Sequence, residues 1–209
     1  MSVVEKTHTL KGEEDSGEKK FMEHVYKDDY HSRNVSLDFI APLVSAALEK
    51  YNLKGGLLDV GCGNGAILNA LRAHHATHFQ YSGIDLFENT DNHPEPIRFF
   101  QRDLNAAFSE GLGTYDVVMT CEVIEHVIDT DHFITTIKNL LKPGGTLIIT
   151  TPNLASFYNR ILLLFGCQPL HTEVSWQNPY LGREALYELT HQAKAPAAGH
   201  LRVFTLSAL

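Results

Sequence analysis

The segment from Leu57 to Ala66 constrains the fold most, because a short apolar run leads into a glycine-rich turn and then a helical stretch. Gly61, Gly63 and Gly65 alternate with other residues in this turn. Glycine reaches positive φ angles and allows close approach of the backbone to a ligand. Turns of this kind, at the carboxyl end of a strand, are typical of ligand sites in open α/β sheets. We therefore expect a ligand site at this turn.

Further apolar runs follow the first at regular intervals, with helical patterns between them. The two that come last are apolar almost throughout, as expected when both faces of a parallel strand are covered. The alternation predicts an α/β fold with a Rossmann-like, doubly wound, mostly parallel sheet. The predicted strands are Leu57–Val60, Phe79–Asp85, Ile97–Gln101, Asp116–Cys121 and Thr146–Thr150. The predicted helices between them run from Ala66 to Ala73 and from about Phe133 to Leu141, and Pro143-Gly144-Gly145 ends the second helix.

The flanks of this core are less regular. Residues 1–20 are polar and charged, and predict a frayed arm. Residues 21–51 predict helix, with a break or fresh start near Pro42. After Asn153 we expect helices at 154–165 and 183–193 and a final run at 200–205. The chain is thus predicted to form one domain over 21–209, with a cofactor-binding core at 55–153 and an acceptor cap at 154–209.

Composition and charge exclude several classes of protein. The chain has 209 residues, of which 44% are apolar, which suits one α/β domain. Its formal net charge of -8 argues against a dedicated reader of nucleic acid, so nucleic-acid partners are not expected. Three widely spaced cysteines do not suggest a disulfide framework. Neither a signal-peptide core nor a membrane-spanning run is recognisable, which predicts a cytoplasmic location.

A carboxylate, Asp85, ends the second predicted strand. An acid in this position accepts hydrogen bonds from both hydroxyls of a ribose that lies over the glycine turn. The Gly-x-Gly-x-Gly spacing differs from the Gly-x-Gly-x-x-Gly of dinucleotide-binding folds, and therefore disfavours a nicotinamide-dependent oxidoreductase.

Taken together, residues 55–153 resemble class I S-adenosylmethionine-dependent methyltransferases, of the group that contains the quinone-pathway O-methyltransferases. Five segments match that family's motifs in order and at the right spacing, namely Leu57–Gly65, Gly83–Leu86, Arg102–Leu104, Tyr115–Val127 and Leu141–Asn153.

This resemblance implies S-adenosylmethionine as cofactor and a strand order of 3-2-1-4-5. It also implies three sets of cofactor-binding residues. The methionine part lies against Asp59, Gly61, Cys62, Gly63 and Gly65. Asp85 binds the ribose. The adenine is framed by Leu86, Asp103 and Leu104, with backbone contacts from Cys121.

The family's usual C-terminal elements are expected to be incomplete. Members normally finish with a further helix and an antiparallel strand pair, whereas Leu206–Leu209 end this sequence in the first turn of that helix. We therefore expect the strand pair to be missing and the fifth strand to have an open edge. A shortened chain of this kind retains cofactor binding, while acceptor binding and catalysis are put in doubt.

Glu122, Glu125 and His126 follow the fourth strand, where they share one face if a helical turn begins there. They are candidate catalytic residues under three interpretations: they orient the loop, they act as acid and base towards an acceptor hydroxyl, or they bind a divalent metal. The first is favoured, and no metal is predicted. The pattern is similar to quinone-pathway O-methyltransferases and also to metal-dependent RNA 2′-O-methyltransferases, which add a histidine for which His171 and His200 are candidates.

The apolar stretch at 157–165 has two interpretations. The favoured one is a helix buried against the sheet or the acceptor pocket. The other is a surface helix in weak contact with a membrane, from which it collects a lipid-like acceptor. Several polar aromatic residues in the cap are candidates for lining that pocket, namely Tyr158, His171, Trp176 and Tyr180.

The sequence therefore predicts methyl transfer from S-adenosylmethionine to a small-molecule or lipid-like acceptor, with O-methylation favoured. The alternatives are metal-dependent RNA 2′-O-methylation and a non-catalytic S-adenosylmethionine-binding protein.

Overall fold

The computed structural model describes residues 36–86, 97–184 and 198–209, and its centre is a five-stranded parallel sheet. The strands lie in the order β3-β2-β1-β4-β5, and every neighbouring pair is parallel. Both the Rossmann-like fold and the predicted strand order are confirmed. The strands are β1 (Gly55–Val60), β2 (Phe79–Asp85), β3 (Arg98–Gln101), β4 (Tyr115–Cys121) and β5 (Leu141–Thr150).

Four α-helices accompany the sheet in the described ranges: α1 (Ala41–Lys50), α2 (Ala66–His75), α3 (Thr130–Leu140) and α4 (Phe157–Leu164). A π-helical turn, Ser36–Ile40, precedes α1, and Pro42 lies in the first turn of that helix. Proline is tolerated there because the first backbone N–H groups of a helix have no acceptor within the helix. The predicted fresh start near Pro42 is therefore confirmed.

Each face of the sheet carries its own apolar layer. On one face, Leu57 and Val117 pack with buried residues of α1 and α2. On the other face, Leu58 and Val118 pack with buried residues of α3. Neighbouring residues of a strand point to opposite faces, so a strand that is covered on both sides is apolar at most of its positions. This arrangement accounts for the continuous apolar runs in the sequence.

The fifth strand begins at Leu141 rather than at the predicted Thr146. Tyr115 pairs with Leu141 but Val117 pairs with Thr146, so the register shifts and residues 142–145 form a bulge. A bulge inserts extra residues without ending the ladder. The helix ends at Leu140, one residue before its predicted end, but Pro143-Gly144-Gly145 lie within the strand and not between the helix and the strand.

The parts of the chain outside the sheet are only partly described. Three predicted segments lie wholly or partly outside the described residues: the arm at 1–20, the start of the helix at 21–51 and most of the helix at 183–193. The predicted final run forms a single parallel bridge between Asn153 and Phe204, followed by a 3-10 turn at Leu206–Ala208. In the three described ranges, no helix is both long enough and apolar enough to cross a bilayer.

Candidate functional site

The glycine turn connects β1 to α2 at the carboxyl edge of the sheet. The N–H groups of Gly61 and Cys62 both donate to the carbonyl of Ile84, at 2.8 and 2.9 Å, which fixes the turn to β2. Gly61 and Gly63 have φ angles of 81° and 54°. A Cβ on Gly61 would collide with the side chain of Val123, whereas a Cβ on Gly63 would meet no atom within 4 Å. Gly61 is therefore required by packing, and Gly63 leaves one side of the turn open.

Asp85 ends β2 and faces this turn. Its Oδ2 accepts a hydrogen bond from the N–H of Gly63 at 2.7 Å. The carboxylate that ends β2 therefore faces the turn, next to its open side at Gly63. The next residue, Leu86, is half-buried, and its carbonyl accepts a hydrogen bond from Nε2 of Gln101 at 3.0 Å.

Asp59 lies beneath the turn and is only 1% exposed. Burial, followed by the charge of Asp85, raises the pKa of Asp59 to about 8. Its Oδ1 has no hydrogen-bond partner among the described residues. A buried carboxyl of this kind favours a cation beside it, because a nearby positive charge stabilises the ionised form.

The two cysteines of the site, Cys62 and Cys121, are buried free thiols. Burial raises the pKa of both thiols, so neither is a reactive thiolate. Both side chains belong to the apolar layer that contains Leu57.

The loop after β3 reaches the same edge of the sheet. The N–H of Arg102 donates to the carbonyl of Asp85 at 2.8 Å, which brings Asp103 and Leu104 next to the end of β2. Asp103 is exposed, and Leu104 packs against the apolar layer that contains Leu58. Sequence analysis missed Asn105, whose Oδ1 accepts from the N–H of Ile128 at 2.9 Å and joins this loop to the one after β4.

Glu122 does not share a helical face with Glu125 and His126, contrary to expectation. The turn after β4 is a single 3-10 turn at Ile124–His126, and Glu122 precedes it with a φ angle of 57°. Left-handed backbone at a non-glycine residue is strained, and such residues cluster at functional sites. The N–H of Glu122 donates to the carbonyl of Thr150 at 3.0 Å, and burial raises the pKa of its carboxyl.

Glu125 is fully buried behind this turn. Its Oε2 accepts from the hydroxyl of Thr151 at 2.9 Å, while its Oε1 has no hydrogen-bond partner among the described residues and lies 3.9 Å from Nε2 of His126. Burial raises the pKa of Glu125 to about 7. The carboxyl is thus poised between its two protonation states near neutral pH.

Two further histidines approach the site from the cap. The rings of His126 and His200 lie 4.9 Å apart between centroids, and those of His200 and His171 lie 5.9 Å apart. Ligand atoms of Glu125, His126 and His200 all lie within 4.8 Å of one another. Of the two histidines that were considered as partners for the carboxylates, the structure brings His200 into the cluster.

The favoured interpretation of residues 157–165, a buried helix, is wrong. Apart from Asn159, the side chains of α4 are not buried, and Leu164 and Phe165 are 80% and 76% exposed. Asn159 anchors the helix, since its Oδ1 accepts from the N–H of Leu170 at 2.7 Å. The apolar surface therefore points outwards, and Tyr158 and Trp176, which were candidates for a pocket, are also mostly exposed.

Comparison with known proteins yields one family and two groups of relatives. The model of a family described as "Methyltransferase domain" matches residues 31–209. The ubiquinone biosynthesis O-methyltransferase of Caulobacter vibrioides is 34% identical over 113 residues, which cover 46% of this chain and 40% of that protein. That of Rickettsia akari is 32% identical over 128 residues, which cover 57% of this chain and 49% of that protein. The chain thus spans less than half the length of these relatives.

Solved structures share the fold at lower sequence identity. An S-adenosylmethionine-dependent methyltransferase from Clostridium acetobutylicum has a TM-score of 0.50 at 18% identity, and the match covers 72% of this chain and 62% of that one. The plantazolicin methyltransferase BpumL, in complex with a monoazolic desmethylPZN analog and SAH, has a TM-score of 0.54 at 17% identity, and the match covers 71% of this chain and 58% of that one.

Proposed function

This chain belongs to the methyltransferase domain family, and from that premise we propose that it transfers the methyl group of S-adenosylmethionine to an oxygen of a small or lipid-like acceptor. The observation that supports this most is the contact between Asp85 and the open side of the glycine turn at Gly63. In the proposed site Asp85 holds the ribose, Asp59 and the turn lie against the methionine part, and Asp103 with Leu104 borders the adenine.

The charges of the site suit a cationic methyl donor. S-adenosylmethionine carries a sulfonium and an ammonium group, and its sulfonium activates the methyl carbon for in-line displacement. Burial and, second to it, the charge of Asp85 raise the pKa of Asp59, and a cation between or beside the two carboxylates offsets their repulsion. The open side of Gly63 provides space that a side chain would fill. The residues present therefore fit this donor.

The acceptor side rests on the residues after β4. Methyl transfer to a hydroxyl requires alignment with the donor and loss of the hydroxyl proton. Glu125 has a pKa of about 7 and lies next to His126, so the pair is suited to take up that proton. We propose Glu122, which is strained and half-buried, as a residue that positions the acceptor.

A lipid-like acceptor is favoured by the exposed apolar surface of α4 and by the names of the curated relatives, which act in ubiquinone biosynthesis. We propose that residues 157–165 make weak contact with a membrane surface that contains the acceptor.

The test is donor binding by calorimetry, followed by transfer of labelled methyl groups to hydroxylated aromatic acceptors with and without an apolar tail. The Asp85→Ala variant is expected to lose about 1–3 kcal/mol of donor binding, because a charge-assisted contact disappears. Asp131→Ala, which removes an exposed carboxylate in the first turn of α3, is the matched control and is expected to bind like the wild type. Equal donor affinity in all three proteins would remove Asp85 from the site.

A further inference from the structure

β5 forms one edge of the sheet, and no strand pairs with its outer side in the parts of the chain that the structure describes. The single bridge between Asn153 and Phe204 lies beyond the carboxyl end of this strand. Residues 145–150 are all half-buried, whereas residues 117–121 of the neighbouring β4 are all buried. The outer side of an edge strand is a template for pairing with a further strand. We propose that two copies of this chain form a dimer by antiparallel pairing of their β5 strands.

The backbone groups on the open side follow from the pairing of β5 with β4, whose register is unbroken from Thr146 to Thr150. The N–H of Glu122 donates to the carbonyl of Thr150 at 3.0 Å, so Thr150 directs its backbone groups towards β4. Successive residues of a strand alternate in this direction, so Leu147 and Ile149 direct their N–H and C=O groups outwards. In an antiparallel pair, two residues that lie opposite each other exchange both hydrogen bonds. Leu147 opposite Ile149 of the second copy meets this requirement, in both directions.

The side chains fit the same register. The segment from Thr146 to Thr150 reads Thr-Leu-Ile-Ile-Thr, so its chemistry is nearly the same in both directions. When Leu147 lies opposite Ile149 of the second copy, the two-fold axis passes through Ile148 and each threonine opposes a threonine. Pairs of threonines and pairs of aliphatic side chains are favourable across an antiparallel ladder. A two-fold contact requires a self-complementary surface of this kind, and the backbone and the side chains specify it independently.

Charge does not oppose this contact locally, although the formal net charge of the chain is -8. The segment from Thr146 to Thr150 has no charged side chain. Lys142, the one charged residue of β5, lies near the other end of the strand and pairs with Asp116 at 2.8 Å. The repulsion between two chains of equal net charge acts over a longer range and is screened by salt. Dimerisation is therefore expected to become stronger as salt is added.

The dimer joins two five-stranded sheets into one ten-stranded sheet. Because the two β5 strands run antiparallel, the carboxyl edges of the two sheets face in opposite directions. The two glycine turns then lie at opposite edges of the joined sheet, and each copy keeps a proposed donor site of its own. The pairing involves neither donor nor acceptor, so it does not depend on the proposed function.

Light scattering of the full chain over a range of concentrations measures the oligomeric state, and we expect a dimer. Leu147→Pro removes an outward N–H and none of the hydrogen bonds to β4, and edge strands accept proline at such positions. This variant should weaken dimerisation at least about tenfold, because two hydrogen bonds are lost per dimer. Leu147→Val keeps the N–H and an aliphatic side chain, so this matched control should dimerise like the wild type.

A pair of cysteine variants tests the register, both made together with Cys167→Ser because Cys167 is not buried. Ile148→Cys places two thiols opposite each other in a non-hydrogen-bonded pair, with Cα atoms about 4.5 Å apart, where a disulfide can form. In Thr146→Cys each thiol lies opposite Thr150 of the second copy, roughly 13 Å along the strand from its counterpart. Under oxidised glutathione, Ile148→Cys should form a covalent dimer and Thr146→Cys should not.

Several results would overturn the proposal: a wild type that is monomeric at every concentration, dimerisation that survives Leu147→Pro, or equal cross-linking of the two cysteine variants. A monomer whose Leu147 and Ile149 amides are protected from hydrogen exchange would show that another segment of the same chain covers the edge. Assemblies larger than two copies would also contradict it, since a two-fold contact closes at a dimer. If Leu147→Pro does not unfold cooperatively, the cysteine pair decides alone.

Discussion

Burial of the Asp59 carboxyl has a cost in stability, for which its proposed role in donor binding would account. In the unfolded chain its carboxyl ionises near the ordinary pKa of 3.8, but in the folded protein burial keeps it protonated up to about pH 8. The folded state therefore holds a proton that the unfolded state has released, and stability falls as the pH rises from about 4 to 8. Such costs are typical of residues that are retained for binding.

We predict that Asp59→Asn stabilises the free protein at pH 8, since an amide has no ionised form to desolvate. One pKa unit corresponds to about 1.4 kcal/mol. Even a quarter of the rise in the pKa of Asp59, from 3.8 to about 8, therefore gives a gain in the free energy of unfolding of about that size. The gain should shrink as the pH falls through 4 towards 3, where the wild-type carboxyl becomes protonated in the unfolded state as well. Urea unfolding at several pH values measures it.

The same variant should bind S-adenosylmethionine about tenfold more weakly, because it lacks the negative charge that faces the cation. Asp131→Asn is the exposed control, for which neither stability nor affinity should change appreciably. If the gain in stability of Asp59→Asn over the wild type were no larger at pH 8 than at pH 4, this account of Asp59 would be contradicted.

Gly61 and Gly63 offer a matched pair of substitutions in one turn. Both have positive φ, so alanine strains the backbone at either position by about 1 kcal/mol. Only at Gly61 does the added methyl collide with the side chain of Val123. We predict that Gly61→Ala lowers the melting temperature clearly, whereas Gly63→Ala lowers it little but loses donor affinity. Equal melting temperatures would contradict the packing role of Gly61.

The sequence predicted the glycine turn and Asp85 because their signals are local. Gly61, Gly63 and Gly65 lie within one turn, and Asp85 ends the next strand. His200 was only one of two candidates, since nothing in its own neighbourhood shows that the chain returns to Glu125. Contacts over such separations follow from tertiary packing, which periodicity does not report.

At the scale of elements, the segment 198–202 depends on Glu173. The carboxylate of this residue accepts hydrogen bonds from the N–H groups of Ala198 at 2.6 Å and Gly199 at 2.8 Å. The next residues then bind the loop after β4, as Leu201 donates to Glu125. Glu173 is therefore a positioning residue, which holds the segment that carries His200 next to the loop after β4.

We predict that Glu173→Ala accelerates amide hydrogen exchange in 198–202 at least about tenfold, because two charge-assisted hydrogen bonds are lost. Exchange in β1 and β4 should not change. Glu184→Ala is the matched control, since its carboxylate accepts from the N–H of Gly182, two residues away in the chain. Mass spectrometry of peptides from this segment measures the effect, and equal exchange in both variants would show that Glu173 does not hold the segment.

The strands were predicted more accurately than the cap, for a physical reason. A parallel strand that is covered on both faces is apolar at most positions, so β4 and the end of β5 show as nearly continuous apolar runs in the sequence. An apolar helix can pack against the rest of the protein or lie at its surface, and the pattern of apolar residues is the same in both cases. The orientation of α4 was therefore predicted wrongly, and the bulge at 142–145 was missed because Pro143 and Gly144 also end helices.

At the scale of the whole molecule, the distribution of charge and apolar surface limits the kind of membrane that suits this protein. The formal net charge is -8, so an anionic membrane repels the chain as a whole. Leu163, Leu164 and Phe165 are nevertheless more than half exposed on one helix and its end. Any binding must come from burial of these side chains and not from attraction to lipid headgroups.

We therefore predict that the protein co-sediments with neutral phosphatidylcholine vesicles, and that added salt does not release it. Full burial of a leucine or phenylalanine contributes about 1.5–3 kcal/mol, so Leu164→Ser together with Phe165→Ser should lower partitioning at least about tenfold. Leu43→Ser removes a side chain that is 65% exposed on α1 and should have little effect. Binding that requires anionic lipid, or that survives the double substitution, would show that α4 is not the contact.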